Sequence, residues 1–142
     1  MHRTATLYVL GTPVPQPRPR MTKKGRAYNP STADLWKSNV RAAWTEAAEL
    51  PFANGLRLRL EFVMARPASH LTANGNGLRA SAPPRHISKP DVDNLAKAVM
   101  DALENAGAYP NDCAVEDLRT SKRYALRGEV SGCRVTLSDV DA

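Results

Sequence analysis

The sequence predicts an α+β fold, with two helices packed against a small mixed or antiparallel sheet in a single domain spanning residues 1–142. Three observations support this. Four segments read as strands, two of them with clean apolar–polar alternation. Two others repeat their apolar residues at helical spacing, and the order is strand, helix, strand, long loop, helix, strand, strand. A chain of 142 residues suits one core.

The elements follow in order. Residues 4–10 alternate, with Ala5, Leu7 and Val9 on one side. Residues 11–20 carry spaced prolines that fix φ and remove amide donors, so the segment is extended and presents Arg18 and Arg20 outward. Ser31-Thr32-Ala33-Asp34 resembles a capping box with Asp in place of Glu. Trp36, Val40, Ala43, Trp44 and Ala47 follow at helical spacing, and the helix ends near Leu50, before Pro51. Both tryptophans lie on that apolar stripe and read as core.

Residues 56–62 alternate as a half-buried strand. Residues 66–90 have no periodicity, hold Asn-Gly-Asn-Gly and later Pro83-Pro84, and read as a long functional loop. A second helix over residues 91–106, ended by Gly107, buries Val92, Leu95, Ala96, Val99, Leu103 and Ala106. Strands over residues 114–124 and 129–137 complete the sheet, the latter turning Cys133, Val135 and Leu137 inward.

Hydrophobic residues at 42% and charged residues at 24% are ordinary for a globular protein. The apolar stretches are too short to cross a bilayer, and the N-terminus lacks a signal-peptide pattern, so the expected location is cytoplasmic. Cys113 and Cys133 have no metal-binding spacing and are expected to be buried thiols. Twenty Lys and Arg against 14 Asp and Glu give a net charge of +6, which suggests a polyanionic partner. One acid-free segment holds Arg18, Arg20, Lys23, Lys24 and Arg26, and another holds Arg66, Arg79, Arg85 and Lys89 with His70 and His86. Half of the acids then fall within residues 91–117. Basic segments leading into an acidic cluster suit a nuclease, with cations for phosphates and carboxylates for a metal; solvated loops would show the same charges.

The informative stretch is Lys89-Pro90-Asp91-Val92-Asp93-Asn94-Leu95-Ala96-Lys97, with Asp112 beyond the helix. Pro90 makes Lys89 extended, so the helix begins near Asp91. Asp91 and Asp93 then face the positive end of the helix macrodipole, and Lys97 lies four residues after Asp93. If the strand after Asp112 runs alongside the start of this helix, Asp112 joins them, and three such carboxylates suit Mg²⁺. Taken singly, each has a structural reading: Asp91 as a cap, Asp93–Lys97 as a surface pair, Asp112 as a turn residue.

The run from Lys89 to Leu103 with Asn111-Asp112 and Val115 resembles the signature of the RusA endodeoxyribonucleases of bacteria and their phages. The Pro-rich, Arg-bearing entry, Gly25-Arg26-Ala27-Tyr28, Pro67 to His70 and Ala82-Pro83-Pro84 extend the similarity over most of the chain. The resemblance implies a homodimeric Holliday-junction resolvase of recombination and repair. It also implies Asp91, Asp93 and Asp112 as ligands of Mg²⁺ (with Mn²⁺ as substitute), and Lys97 as a residue needed for cleavage. Arg18, Arg20, Lys23, Lys24, Arg26, Arg79, Arg85 and Lys89 are the candidate DNA contacts. Asn111 stands where the family often has a further Asp, and Asp101 reads as structural, within reach of Lys97. Two alternatives stay open, a nuclease for another branched DNA and a basic DNA-binding module without catalysis.

Overall fold

A computed structural model describes residues 2–28, 30–53 and 55–140. Alternation builds its main sheet. β1 (Thr4–Leu10), β4 (Leu56–Met64) and β6 (Gly132–Asp139) bury alternate residues, among them Leu7, Leu60 and Val135. β5 (Val115–Tyr124) completes a four-stranded sheet in the order β1-β6-β4-β5. β6 is antiparallel to both of its neighbours, whereas β4 and β5 run parallel, so the sheet is mixed. Gly132 is required where β6 crosses β1, because a Cβ there would collide with the Val9 carbonyl. A separate two-stranded hairpin, β2 (Arg20–Met21) and β3 (Ala27–Tyr28), projects from the entry segment; the sequence reading did not foresee it.

One face of the sheet carries both helices. α1 (Asp34–Ala47) buries Trp36, Val40 and Trp44, and both tryptophans are core residues as expected. α2 (Val92–Asn105) buries Leu95, Ala96, Ala98, Val99, Ala102 and Leu103. These meet Leu58, Leu60, Phe62, Val135 and Leu137 in one cluster. Each fully buried Leu or Val there contributes roughly 1.5–3 kcal/mol of transfer free energy. Among the described residues no helix is long and apolar enough to cross a membrane.

Three expectations are corrected. No side-chain capping bond forms at Ser31 or Thr32; α1 starts from Ala33, and Ser31 contributes only its carbonyl, to Asp34 N–H. The helix ends at Ala47 rather than near Leu50, and Ala47 is exposed, because Ala48 turns left-handed and donates its N–H to Thr45 O. Cys133 is buried and burial pushes its thiol up to about 12, but Cys113 is exposed; both are free. Cys113 lies in the turn before β5 rather than on an inward-facing strand position.

Ala48 holds φ at 52°, a conformation that costs an L-residue about 1–2 kcal/mol and glycine little. Ala48→Gly is therefore expected to stabilise the protein by about 0.5–1 kcal/mol, after the extra unfolded-state entropy is deducted. A urea midpoint that does not rise in the variant contradicts this account of the helix end.

Candidate active site

The start of α2 is held by β5. Asp91 is the N-cap, in extended conformation, and its carbonyl accepts the Leu95 N–H at 3.1 Å. Its carboxylate makes no capping bond and is exposed, as is that of Asp93 two residues on, and neither has a partner among the described residues. The Lys89–Pro90 peptide just before it is cis. Lys122, near the end of β5, donates its ammonium to the carbonyls of Ser88 at 2.7 Å and Pro90 at 2.9 Å. A charged donor shared by two carbonyls ties this turn to the sheet.

The proline-rich entry segment docks on the same place. The Gln16 N–H donates to Asn94 O at 3.0 Å, which lays residues 14–20 along the first turn of α2. Between them lies an open groove of about 620 Å³, lined by Arg18, Arg20, Lys89, Asp91 and Asn94 among others. Three of the expected DNA contacts are thus gathered around one expected metal ligand. Lys23, Lys24 and Arg26 are exposed on or beside the turn of the β2–β3 hairpin. Arg85 lines a shallow pocket with Lys122 and Arg123, while Arg79, itself exposed, donates from Nε to Leu71 O at 2.6 Å within the loop.

The long loop is anchored on Tyr124, at the end of β5. The ring of His86 lies 4.7 Å from the Tyr124 ring and that of His70 5.3 Å away, edge-on, while the Arg66 guanidinium sits 4.2 Å from its centroid. His86 is buried with Nδ1 lacking a hydrogen-bond partner. Burial first, and then the charge of Lys122, hold its pKa below the ordinary 6.5 and so favour the uncharged imidazole.

Asp112 is placed elsewhere. It lies in a short 3₁₀ turn (Asp112–Ala114) capped by Asn111, whose Oδ1 accepts the Cys113 N–H at 2.9 Å. Asn111 thus performs a local capping role that needs only a side-chain oxygen. Beside Asp112, the buried Tyr109 hydroxyl donates to Met100 O at 2.7 Å; burial, then the charge of Asp112, raises its pKa above the usual range. Asp112 therefore sits level with Met100, nine residues and about 13 Å along α2 from Asp91. The end of β5, rather than its start, adjoins the start of α2, so the condition for Asp112 to join the other two is not met within one chain. Among the described residues, no three His, Cys, Asp or Glu side chains form a group able to hold a metal.

Lys97 is exposed and, among the described residues, has no ion-pair partner. Asp101 pairs instead with Lys37 of α1, at 2.6 Å, which leaves the Lys97 ammonium uncommitted and makes Asp101 a helix–helix tie. Lys122, Tyr124 and Gln16 were not foreseen as parts of the site. No sequence period marks them; only the strand pairing and the docking of the entry segment bring them there.

The sequence model of the family described as Endodeoxyribonuclease RusA matches residues 11–135. A Bacillus subtilis (strain 168) protein bearing the name "Uncharacterized protein YqaN" is 30% identical over 123 residues, which span 82% of this chain and 85% of that protein.

His86 makes the anchoring of the loop sensitive to pH. A His whose folded pKa is depressed adds stability above its unfolded pKa, and that stability is lost as pH falls through 6.5 toward the folded value. The melting temperature of the wild type is therefore expected to drop between about pH 7.5 and pH 5.5, and that of His86→Gln to drop less. Identical pH profiles for the two proteins would show that His86 does not hold the loop.

Proposed function

Since the chain belongs to the RusA endodeoxyribonuclease family, we propose that it is a metal-dependent endonuclease that resolves four-way (Holliday) junctions as a homodimer, in DNA recombination and repair in the bacterial cytoplasm. The observation that carries this reading is the groove at the start of α2, where Arg18, Arg20 and Lys89 surround Asp91. Cations there hold backbone phosphates, and an uncommitted carboxylate is placed beside the phosphate they hold.

The separation of the carboxylates bears on the metal. Asp91 and Asp93 of one chain supply two carboxylates, and Asp112 of the same chain, about 13 Å further along the helix axis, is not placed to add the third. A two-fold pairing that sets the Asp112 turn of one subunit against the start of α2 in the other completes two equivalent sites. Two such sites match the two strands that must be nicked in a near-symmetric junction. Mg²⁺, or Mn²⁺ in its stead, bound there would neutralise phosphate charge and make water a better nucleophile. Arg18, Arg20 and Lys89 orient the phosphate, and Lys122 keeps the Asp91 turn rigid. Lys97, with no carboxylate partner among the described residues, is free to meet the charge that develops on the phosphate during cleavage.

Asp91→Asn and Asp93→Asn are expected to lower nicking of a synthetic junction in Mg²⁺ by at least about 100-fold while binding is kept, since the phosphate-holding cations stay in place. Lys97→Ala should slow cleavage by about 10²–10³-fold, the scale of losing one charge-stabilising donor, with Lys97→Arg rescuing it only in part. Its melting temperature should stay at the wild-type value. Full-rate nicking by the aspartate variants, or by wild type in EDTA, contradicts the metal site.

A further inference from the structure

The face of the sheet turned away from the helices carries a surface that the proposed mechanism does not use. Five guanidiniums stand on it, those of Arg57 and Arg59 from β4, Arg119 and Arg123 from β5, and Arg134 from β6. Three carboxylates answer them. Arg57 pairs with Asp117 at 2.9 Å, Arg134 grips both oxygens of Glu61 at 2.7 and 2.8 Å, and Arg123 grips both oxygens of Glu129 at 2.6 and 2.7 Å. Those pairings consume the acids.

Arg59 and Arg119 are left over. Each has only a loose approach to a carboxylate already engaged, 3.5 Å to Glu61 and 3.8 Å to Asp117, and their side chains are 59% and 71% exposed. They are directly opposite in the parallel β4–β5 register. Like charges placed opposite each other on a sheet are unfavourable, and an anion lying across both removes the penalty. The planar guanidinium fork fits phosphate oxygens better than any other side chain does. Their row continues across the sheet with the hydroxyls of Thr136 and Thr6, further donors to an anion.

At its far end this face reaches the long loop that leads to the groove. Arg123, at the far end of β5, lines a pocket with Arg85 and Lys122, and Lys122 holds the turn that carries Asp91. A second copy of the chain is a poor occupant, because a two-fold contact over this face would bring together two surfaces that each hold five guanidiniums against three carboxylates, with no acid to spare for Arg59 and Arg119. Interface cores are also depleted of charge, and this surface is rich in it.

We propose that the open sheet face is a second DNA-backbone surface, on which Arg59 and Arg119 clamp phosphates of a junction arm other than the one lying in the groove. The inference rests on the reading that the chain binds branched DNA, and adds where a further arm lies.

The test is an Arg59→Gln/Arg119→Gln double variant, titrated without divalent metal against a four-way junction and a short linear duplex over a range of salt. Junction affinity is expected to fall about 10-fold or more, and the salt slope by about 2, the value for two lost phosphate contacts. Duplex binding should stay within about twofold, because one duplex can be held by the groove alone. Unchanged junction affinity and slope overturn the proposal, as does an equal loss on duplex. A dimer that dissociates in the variant, seen by sedimentation, overturns it in favour of a contact between copies. Nicking by the wild type is measured alongside: its absence would sink the nuclease reading while leaving the binding result to stand. Normal nicking with an unchanged salt slope would sink the second surface alone.

Discussion

The parallel pairing of β4 and β5 governs the arrangement of this protein. Parallel neighbours cannot be joined by a hairpin; the chain must return from the end of one strand to the start of the next, so residues 65–114 form the crossover. That return runs through the basic loop and then α2, which places the start of the helix at the far ends of both strands. Ligand-binding groups collect at such strand ends in open α/β arrangements, and here Asp91 and Asp93 lie there with Lys122 behind them. The same geometry sends Asp112 to the opposite end of α2, because it precedes β5. One constraint therefore sets Asp91 and Asp93 at one end of the helix and Asp112 at the other, and on the proposed reading the dimer joins them into a metal site.

A long loop in so small a domain needs anchors, and these come from β5. Tyr124 receives two imidazoles and a guanidinium, and Lys122 receives two carbonyls. Both residues project from the face of an edge strand that also packs on α2, so loop, helix and sheet are fixed to one another near the carboxylates. Burial and the nearby Lys122 both favour the uncharged form of His86, so its place against Tyr124 adds no buried charge beside that ammonium. Basic side chains are then divided between two tasks. Arg66, Arg79 and Lys122 hold structure, whereas Arg18, Arg20 and Lys89 face the groove.

Local features were legible in the sequence because they depend on periodicity. Ala5, Leu7 and Val9, the tryptophans of α1, and Leu95 and Val99 of α2 are buried where their spacing put them. The carboxylates at the start of α2 were legible for the same reason. What depends on strand order was hidden. Whether β5 touches α2 by its start or its end decides where Asp112 goes, and no pattern within β5 encodes that choice. Arg59 and Arg119 are far apart in the chain and become neighbours only through parallel register. The capping box does not form: Ser31-Thr32-Ala33-Asp34 closes as a turn through the Ser31 backbone carbonyl, so neither hydroxyl caps the helix.

On the proposed reading each cleavage site combines Asp91 and Asp93 of one subunit with Asp112 of the partner subunit. Subunit mixing tests it most directly: an Asp91→Asn chain is exchanged with an Asp112→Asn chain, and nicking of a junction is compared with that of each variant alone. In a mixed dimer one site receives both substitutions and the other receives neither. Activity is therefore expected to return to about a quarter of the wild-type rate from two inactive parents, since random exchange makes half the dimers mixed with one intact site each. A mixture as inactive as its components would place all three aspartates in one chain and contradict the account.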